Sequence, residues 1–351
     1  MQLDLWYING TSFHLGRHGL EQEESGEHFA SDSLFAAIVA RIVALRGAAE
    51  AERFVNALKS DAPLCVLSSA FPRAGDMCLF PTPLELPKPT KPGAPKHKDL
   101  KKCKYVSRAI FDALIAGDEL ANWLTPENKL QGGTVLLAPG DKKQLPQDAR
   151  ADEKIWTIEK RPRVKVGRAV PNSQIYFTGR VVFQKDCGLW FAVRWLQRDP
   201  EIEQLLNDAL ADLGDAGIGG ERNVGFGQCK IEKTGTLDLP DADGKSWVSL
   251  SRYLPVKDEM TALTNGVAYA IQTIPGWVQS PGNKPERRRT VRMIAEGAVL
   301  GAVARAVPGQ IVDVQPKYAT EADSEIKSRL DHPVWRNGRA LAIGFAGGKT
   351  K

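Results

Sequence analysis

Residues Gly217–Gly227 read GIGGERNVGFG, with five glycines among eleven residues. Ordering so many glycines costs much conformational entropy, so a fixed backbone there points to a use. Glycine permits left-handed conformations and lets a ligand or a second strand approach the main chain. Successive N–H groups in such turns can form nests that hold anions. Ile218 and Phe226 would anchor the two glycine turns to a core. Three phosphate chemistries compete with a plain tight connection whose glycines only satisfy turns. A Walker loop needs GxxxxGK[ST], and no lysine follows here. The dinucleotide fingerprint GxGxxG fails at Arg222, and it opens a helix after a strand, whereas here a helix comes first and a strand after. The third chemistry is a cradle for an RNA backbone between a last helix and a last strand.

Three basic clusters stand out. Lys88–Lys104 holds seven lysines and one acid, Asp99. Arg161, Arg163, Lys165 and Arg168 form the second, with Lys160 beside them. Arg287, Arg288, Arg289 and Arg292 form the third, which would alternatively face an acidic partner protein. Any one such run is more often a solvated face than a binding site. The second is the strongest, because Asn172, Ser173 and Tyr176 follow it and suit sugar or base edges. Single-stranded RNA is read by such groups, with bases stacked on aromatic or guanidinium planes. Trp277 and Trp335 lie in turn-rich segments that fit either partial burial or an interface cap. Trp6, Trp190 and Trp195 lie within strands and belong to the core.

Catalysis has fewer candidates. Metal-free RNA cleavage wants a base near the 2′-OH and a cation for the developing phosphorane charge. His14 and His28 are the available bases, although a lone loop histidine is more often structural. A metal nuclease needs clustered carboxylates, and the pair Asp241 and Asp243 sits in the turn-rich run LPDADGKS. Gly347–Thr350 mimics half a Walker loop, but one residue follows and no helix can be built. The five cysteines are odd in number and lack a CxxC pair, which excludes a disulfide framework and a zinc knuckle and leaves reduced, packed thiols.

These groups need a frame. Residues 3–9 (LDLWYIN) suit a buried strand. Ser31 is the expected N-cap of a helix whose stripe is Leu34, Ile38 and Ile42, ending at Gly47. A shorter helix is predicted over 49–59, and strands over 64–67 and 77–80. Pro81–Pro95 then carries six prolines, which predicts an extended, partly solvated insertion over about 81–154. Within it, 101–116 is expected to be helical and 139–154 mobile. Strands over 174–183 and 189–196 flank Lys185–Gly188, read as a hairpin turn. Asp199-Pro200 then caps a helix with apolar residues at 202, 205, 206, 209, 210 and 213, stopped by Gly214. A strand over 228–233 completes the order β-α-β-β-α-β, the ferredoxin-like or RRM-like pattern. Past the linker 239–246, short strand signals predominate.

The chain has 351 residues, a prior of two domains. Its 42% hydrophobic and 25% charged content is that of a folded protein, and a net charge of +5 requires any acidic partner to meet locally gathered basic residues. The first residues do not read as a signal peptide and no apolar run would span a bilayer, so a cytoplasmic protein without membrane contact is expected.

The loop spacing, G-apolar-G, five residues, G-apolar-G, resembles the glycine-rich signature of the repeat-associated (RAMP) proteins of CRISPR systems. Phe13-His14-Leu15-Gly16, Ser31–Ala37 and Pro308–Val314 make the chain similar to the family of the fourth subunit of the Csm complex, the type III-A effector, over 3–46, 160–235 and 308–316. The resemblance implies an α+β protein of two ferredoxin-like domains, over 1–238 with the insertion and over 247–351, the second smaller and β-rich. It implies a subunit without catalytic residues, metal or cofactor. Such a subunit holds the 5′ handle of crRNA and contacts the large polymerase-like subunit and a backbone subunit. By the same resemblance, Gly217, Gly219, Gly220, Arg222, Asn223 and Gly225 would line the handle, with His14, Ser31 and Asp32 near the same surface. Three alternatives stay open: a repeat-cleaving RAMP endoribonuclease, in which the glycine loop usually lies nearer the C-terminus; the equivalent subunit of another type III subtype; and a free-standing RRM-like protein, which would want an aromatic RNP1 pattern that is missing.

Overall fold

A computed structural model describes residues 1–16, 24–84, 97–166, 173–264, 268–278, 285–316, 318–320, 323–327 and 330–346. The first part of the chain runs β1 (Gln2–Asn9), β2 (Ser12–Phe13), α1 (Ser31–Arg46), α2 (Ala48–Lys59), β3 (Cys65–Leu67), β4 (Phe71–Ala74) and β5 (Met77–Pro81). There follow α3 (His97–Lys102), β6 (Tyr105–Ser107), α4 (Arg108–Ile115), β7 (Lys129–Leu130), β8 (Val135–Leu136) and α5 (Gln147–Ala151). Then come β9 (Trp156–Val166), β10 (Ser173–Phe183), β11 (Cys187–Trp195), α6 (Pro200–Ala216) and β12 (Lys230–Asp238).

Nine strands form one sheet in the order β12-β1-β11-β4-β5-β6-β8-β7, with β3 also paired to β11. Without the insertion, the fourth, first, third and second strands of β-α-β-β-α-β lie side by side and antiparallel. Burial holds this order, since β1 and β11 bring Trp6 opposite Phe191 and are closed on both faces. α1 and α6 pack side by side, pinned at their rims by Arg41 to Asp212 and Arg46 to Asp208. The apolar stripes expected of both helices are the ones buried. Asp199 accepts hydrogen bonds from the N–H groups of Glu201 (2.9 Å) and Ile202 (3.1 Å), so the cap of α6 is as predicted. The helix runs past Gly214 to Ala216, and Gly217 caps it.

Five expectations fail. The segment Lys185–Gly188 is not a hairpin turn: β10 pairs with β9 and β2, whereas β11 joins the main sheet. Asp186 adopts φ 61° and its carbonyl accepts from Gly75 N–H, so the chain changes sheets there. Ser31 is not the N-cap. Ala30 holds that position and Ser31 is the first helical residue. The described part of the insertion, 97–154, is not an extended appendage, because β6, β8 and β7 continue the sheet and α4 closes over it, while most of the proline-rich run, 85–96, lies outside the described residues. Phe80 stacks on Phe111 with centroids 4.6 Å apart and meets Trp190 at a tilt, 4.8 Å away, and such pairs add about 0.5–1.5 kcal/mol each to their burial. Its polar end, 139–154, folds as a 3-10 turn and α5, and 101–116 begins a new strand at Tyr105 before α4.

The remainder runs β13 (Trp247–Ser249), β14 (Ile271–Ile274), β15 (Trp277–Val278), β16 (Glu286–Arg287), β17 (Val291–Ile294), β18 (Val299–Leu300), β19 (Ile311–Asp313), β20 (Tyr318–Thr320), β21 (Asp323–Lys327), β22 (Trp335–Asn337) and β23 (Ala342–Gly344). These make small antiparallel ladders. Among the described residues this part has a 3-10 helix at Lys257–Leu263 and no α-helix, so it is β-rich without the helices of a second ferredoxin-like copy. It shares a core with the first part, since Val248, Leu250, Leu341 and Ile343 pack into the same cluster as Leu34 and Val193.

Polar groups seal this junction. Ser31 Oγ accepts from Arg252 N–H (3.0 Å), and Ser31 N–H donates to Ser69 Oγ (2.8 Å). Asp32, wholly buried, lies 3.4 Å from Arg252 and 3.3 Å from Arg336. Burial holds the Arg336 guanidinium below its usual pKa, and Asp32 counters that effect. Glu296 accepts from Ser69 Oγ (2.6 Å) and stands 3.7 Å from Arg252.

Candidate nucleic-acid interface

The glycine loop is two turns closed on each other and on the end of β2. Ile218 N–H donates to Gly227 O (2.9 Å), Gly227 N–H to Ser12 O (2.9 Å) and Gly220 N–H to His14 O (2.9 Å). The glycines are needed for this closure. At Gly219 (φ 81°) a Cβ would stand within 3.0 Å of the His14 carbonyl oxygen, and at Gly227 (φ 87°) within 3.0 Å of the Ile218 carbonyl. The loop therefore has a packed base and an open tip. Gly217, Ile218, Phe226 and Gly227 are buried, Gly219 and Gly220 half-buried, and Arg222, Asn223, Val224 and Gly225 exposed. Gly217 thus serves closure and offers no surface, while Arg222 and Asn223 stand free on a 3-10 turn.

His14 links the loop to a second element. Its Nδ1–H donates to the Gly179 carbonyl (2.6 Å), and residue 14 bridges Gly220. Gly179 lies in β10, which forms with β9 a ribbon of two eleven-residue strands. Pairing runs from Trp156 with Phe183 to Val166 with Ser173. Because neighbours in a strand alternate faces, the pairs Glu159–Arg180, Arg161–Thr178 and Arg163–Tyr176 share one face. Pro162–Phe177 and Val164–Ile175 share the other.

The polar face meets the loop at Phe226. Arg163 lies 5.5 Å and Arg180 5.7 Å from the ring centroid, so two guanidiniums flank one aromatic side chain. Glu159 steadies Arg180 at 2.7 Å and also lies 3.2 Å from Arg161. The hydrogen bond from Arg180, aided by the charges of both arginines, holds its carboxyl below the usual carboxylate range. Arg163 Nε and Thr178 Oγ1 are buried without a hydrogen-bond partner. The opposite face is apolar and open, with Ile175 70%, Val164 58% and Phe177 44% exposed.

Of the residues expected at this surface, His14, Arg161, Arg163, Gly219, Gly220, Arg222, Asn223 and Gly225 lie on these three joined elements. The backbone of Lys165 continues β9 opposite Gln174. Arg168 and Asn172 lie outside the described residues. Ser31 and Asp32 do not come to the surface: they are sealed beneath Arg252 and Arg336. Sequence reading missed Arg180 and Glu159, and read Phe226 only as a core anchor. The alternation of charges at 159, 161, 163 and 165 was the available signal for a strand, masked by Pro162 and the density of basic residues.

Residues 242–345 match the family described as the CRISPR Csm4 C-terminal domain. A Csm4 protein of Methanocaldococcus jannaschii is 23% identical over 95% of this chain and 95% of its own length. One of Thermococcus onnurineus is 28% identical over 77% of this chain and 81% of its own. One of Mycobacterium tuberculosis is 27% identical over 86% and 88%. Among solved structures, a chain of the Csm3–Csm4 subcomplex of a type III-A interference complex superposes with a TM-score of 0.62 at 20% identity, covering 98% of this chain and 99% of that one. A chain of a Csm1–Csm4 cassette bound to cA4 gives 0.57 at 20% identity and 98% of both. The fold is shared with these, and the resemblance read from the glycine loop extends to Csm4 proteins along nearly the whole chain. No helix among the described residues is long and apolar enough to cross a membrane.

Proposed function

We propose that the chain is the Csm4-type subunit of a type III CRISPR effector, without catalytic activity of its own, that holds the 5′ handle of crRNA and joins the large polymerase-like subunit to the backbone subunits in the cytoplasm. The observation that carries this reading is the junction at Phe226. There the glycine loop, the end of β2 and the basic face of the β9–β10 ribbon form one surface. Flanking guanidiniums and the exposed Arg222–Asn223 tip suit a single-stranded RNA backbone, and Tyr176 offers a stacking plane. The bridging role draws on solved structures in which Csm4 accompanies Csm3 and Csm1. The strand order of the first part supports a ferredoxin-like RAMP domain there, and the domain limits 1–238 and 247–351 belong to the same proposal.

Two facts weigh against the endoribonuclease. His14 is 8% exposed and gives its Nδ1–H to a main-chain carbonyl, a fold-holding position rather than one beside a 2′-OH. The glycine loop is followed by a β-rich part with which it shares a core.

The test is crRNA binding by Arg161→Ala/Arg163→Ala/Lys165→Ala. Three lost phosphate contacts flatten the salt dependence by about 2, at roughly 0.7 each for a single strand, and crRNA no longer co-purifies. Unchanged retention and slope would sink the handle assignment. Incubation of repeat RNA with the purified chain leaves it intact, and cleavage that disappears in His14→Ala would establish the nuclease instead.

A further inference from the structure

Outside the RNA surface, large exposed apolar side chains gather in residues 260–277, where Met260, Tyr269, Ile271 and Trp277 stand in solvent. Two of them belong to one ribbon. β14 pairs with β17 from Ile271–Ile294 to Ile274–Val291, and β15 pairs with β16 at Trp277–Arg287. The register changes by one residue between these ladders, where Arg288 N–H donates to the Gly276 carbonyl.

The ribbon is held from beneath by Ile274 and Met293, both buried. Its outer side is bare: Ile271 is 61% and Trp277 50% exposed, and Thr273 and Arg292 face each other in solvent. The Arg287 guanidinium lies over the Trp277 ring, 5.2 Å from its centroid. Exposed Arg289 donates to the Asp313 and Gln315 carbonyls. Among the described residues, none of Arg287, Arg289 and Arg292 has a carboxylate partner.

An exposed indole with a guanidinium across its face, on a ribbon that also exposes an isoleucine at its far end, has the composition of a binding hot spot. The unneutralised arginines set the chemistry of what covers it, because a partner must bring carboxylates to meet them. We propose that this ribbon docks a carboxylate-bearing face of the large polymerase-like subunit. The inference rests on the bridging role proposed above and gives it a place. On the reading above, the RNA surface lies on β2, β9, β10 and the glycine loop, and the backbone subunits follow the RNA from there. The C-terminal ribbon is left for the other partner. Ile271 favours a protein over a nucleic acid, since an aliphatic side chain adds nothing to base stacking but buries well in a protein interface.

The experiment uses the full chain loaded with crRNA and measures its affinity for the large subunit and for the backbone subunit separately. In Trp277→Ala/Arg287→Glu the large subunit binds roughly thirtyfold more weakly, while handle affinity and backbone-subunit binding are unchanged. Arg292→Glu, an exposed substitution on the opposite strand, gives the same selective loss, roughly tenfold. Unchanged large-subunit affinity in both variants would overturn the proposal. So would a fall in RNA affinity with a flatter salt slope, which would make the ribbon a nucleic-acid site. A wild-type chain that holds crRNA yet never binds the large subunit would instead refute the bridging role itself.

Discussion

Replacing Gly219 by alanine tests whether the loop is built by close approach or merely by flexible residues. Gly219 sits at φ 81°, a left-handed conformation that costs an L-residue about 1–2 kcal/mol. The new Cβ would also stand within 3.0 Å of the His14 carbonyl oxygen, a separation real Cβ atoms do not show. The strand must therefore part there, and the bond from Gly220 N–H to His14 O (2.9 Å) is lost. A net hydrogen bond and an acceptor left short of a partner add about 1–3 kcal/mol. The total is about 2–5 kcal/mol. Gly225 is the control: it has φ 89° but open space around it, so Gly225→Ala carries only the conformational cost of about 1–2 kcal/mol. Urea denaturation of both variants reads the difference, and amide exchange at Gly220 reports whether the bridge has opened. Equal destabilisation, with Gly220 protected in both, would refute the close-approach account.

Asp32→Ala leaves Arg252 and Arg336 buried without their shared carboxylate, which costs about 3–5 kcal/mol in a denaturation experiment. The salt slope of RNA binding stays unchanged, and a flattened slope would return Asp32 to the RNA surface. Asp4 supplies a pH test. Burial, the largest single influence, would raise its pKa, but Lys233 and Arg198, each 2.8 Å away, together hold it below 3.8. A depressed carboxylate stabilises the fold above its unfolded pKa and ceases to as pH falls through the folded value. The stability gap between wild type and Asp4→Asn is therefore full at neutral pH and closes below about pH 4; a gap that widens there contradicts the assignment. Burial pushes the thiols of Cys65, Cys78 and Cys229 up to about 12, and those of Cys103 and Cys187 up to about 11. Iodoacetamide at pH 8 thus labels the chain only after unfolding, and rapid modification of one thiol in the native protein would identify a reactive site.

What could be read from the residues was what local chemistry determines. The stripes of α1 and α6, the Asp199-Pro200 cap and the order β-α-β-β-α-β needed only periodicity and caps. Long-range pairing was harder. β10 and β11 read as a hairpin because a turn-like segment separates two strands, and nothing local says that β10 takes β9 as its partner. β9 itself was hidden, since Pro162 and a dense basic run obscure its alternation. The polar run 139–154 looked mobile because its order comes from packing, with Leu145 and Ala149 buried. Ser31 and Asp32 have the composition of a helix start facing solvent, and only the return of Arg252 and Arg336 from far along the chain turns them into a sealed junction. The closed build of the glycine loop was legible because its spacing demands close backbone approach. Its union with the basic ribbon through Phe226 is a tertiary fact.

The sealed junction at the head of α1 also bears on how the protein comes into being. The groups that close over Ser31 and Asp32 follow them by 221 and 304 residues. During synthesis α1 waits, with a carboxylate destined for full burial still in water, until residue 336 has left the ribosome. Contacts so distant in sequence are slow to form, and the waiting surface is exposed to misassembly. The part that carries the glycine loop is therefore finished only together with the part that carries the Trp277 ribbon. A product that stops before residue 336 lacks the seal, so the head of α1 stays open until that residue arrives.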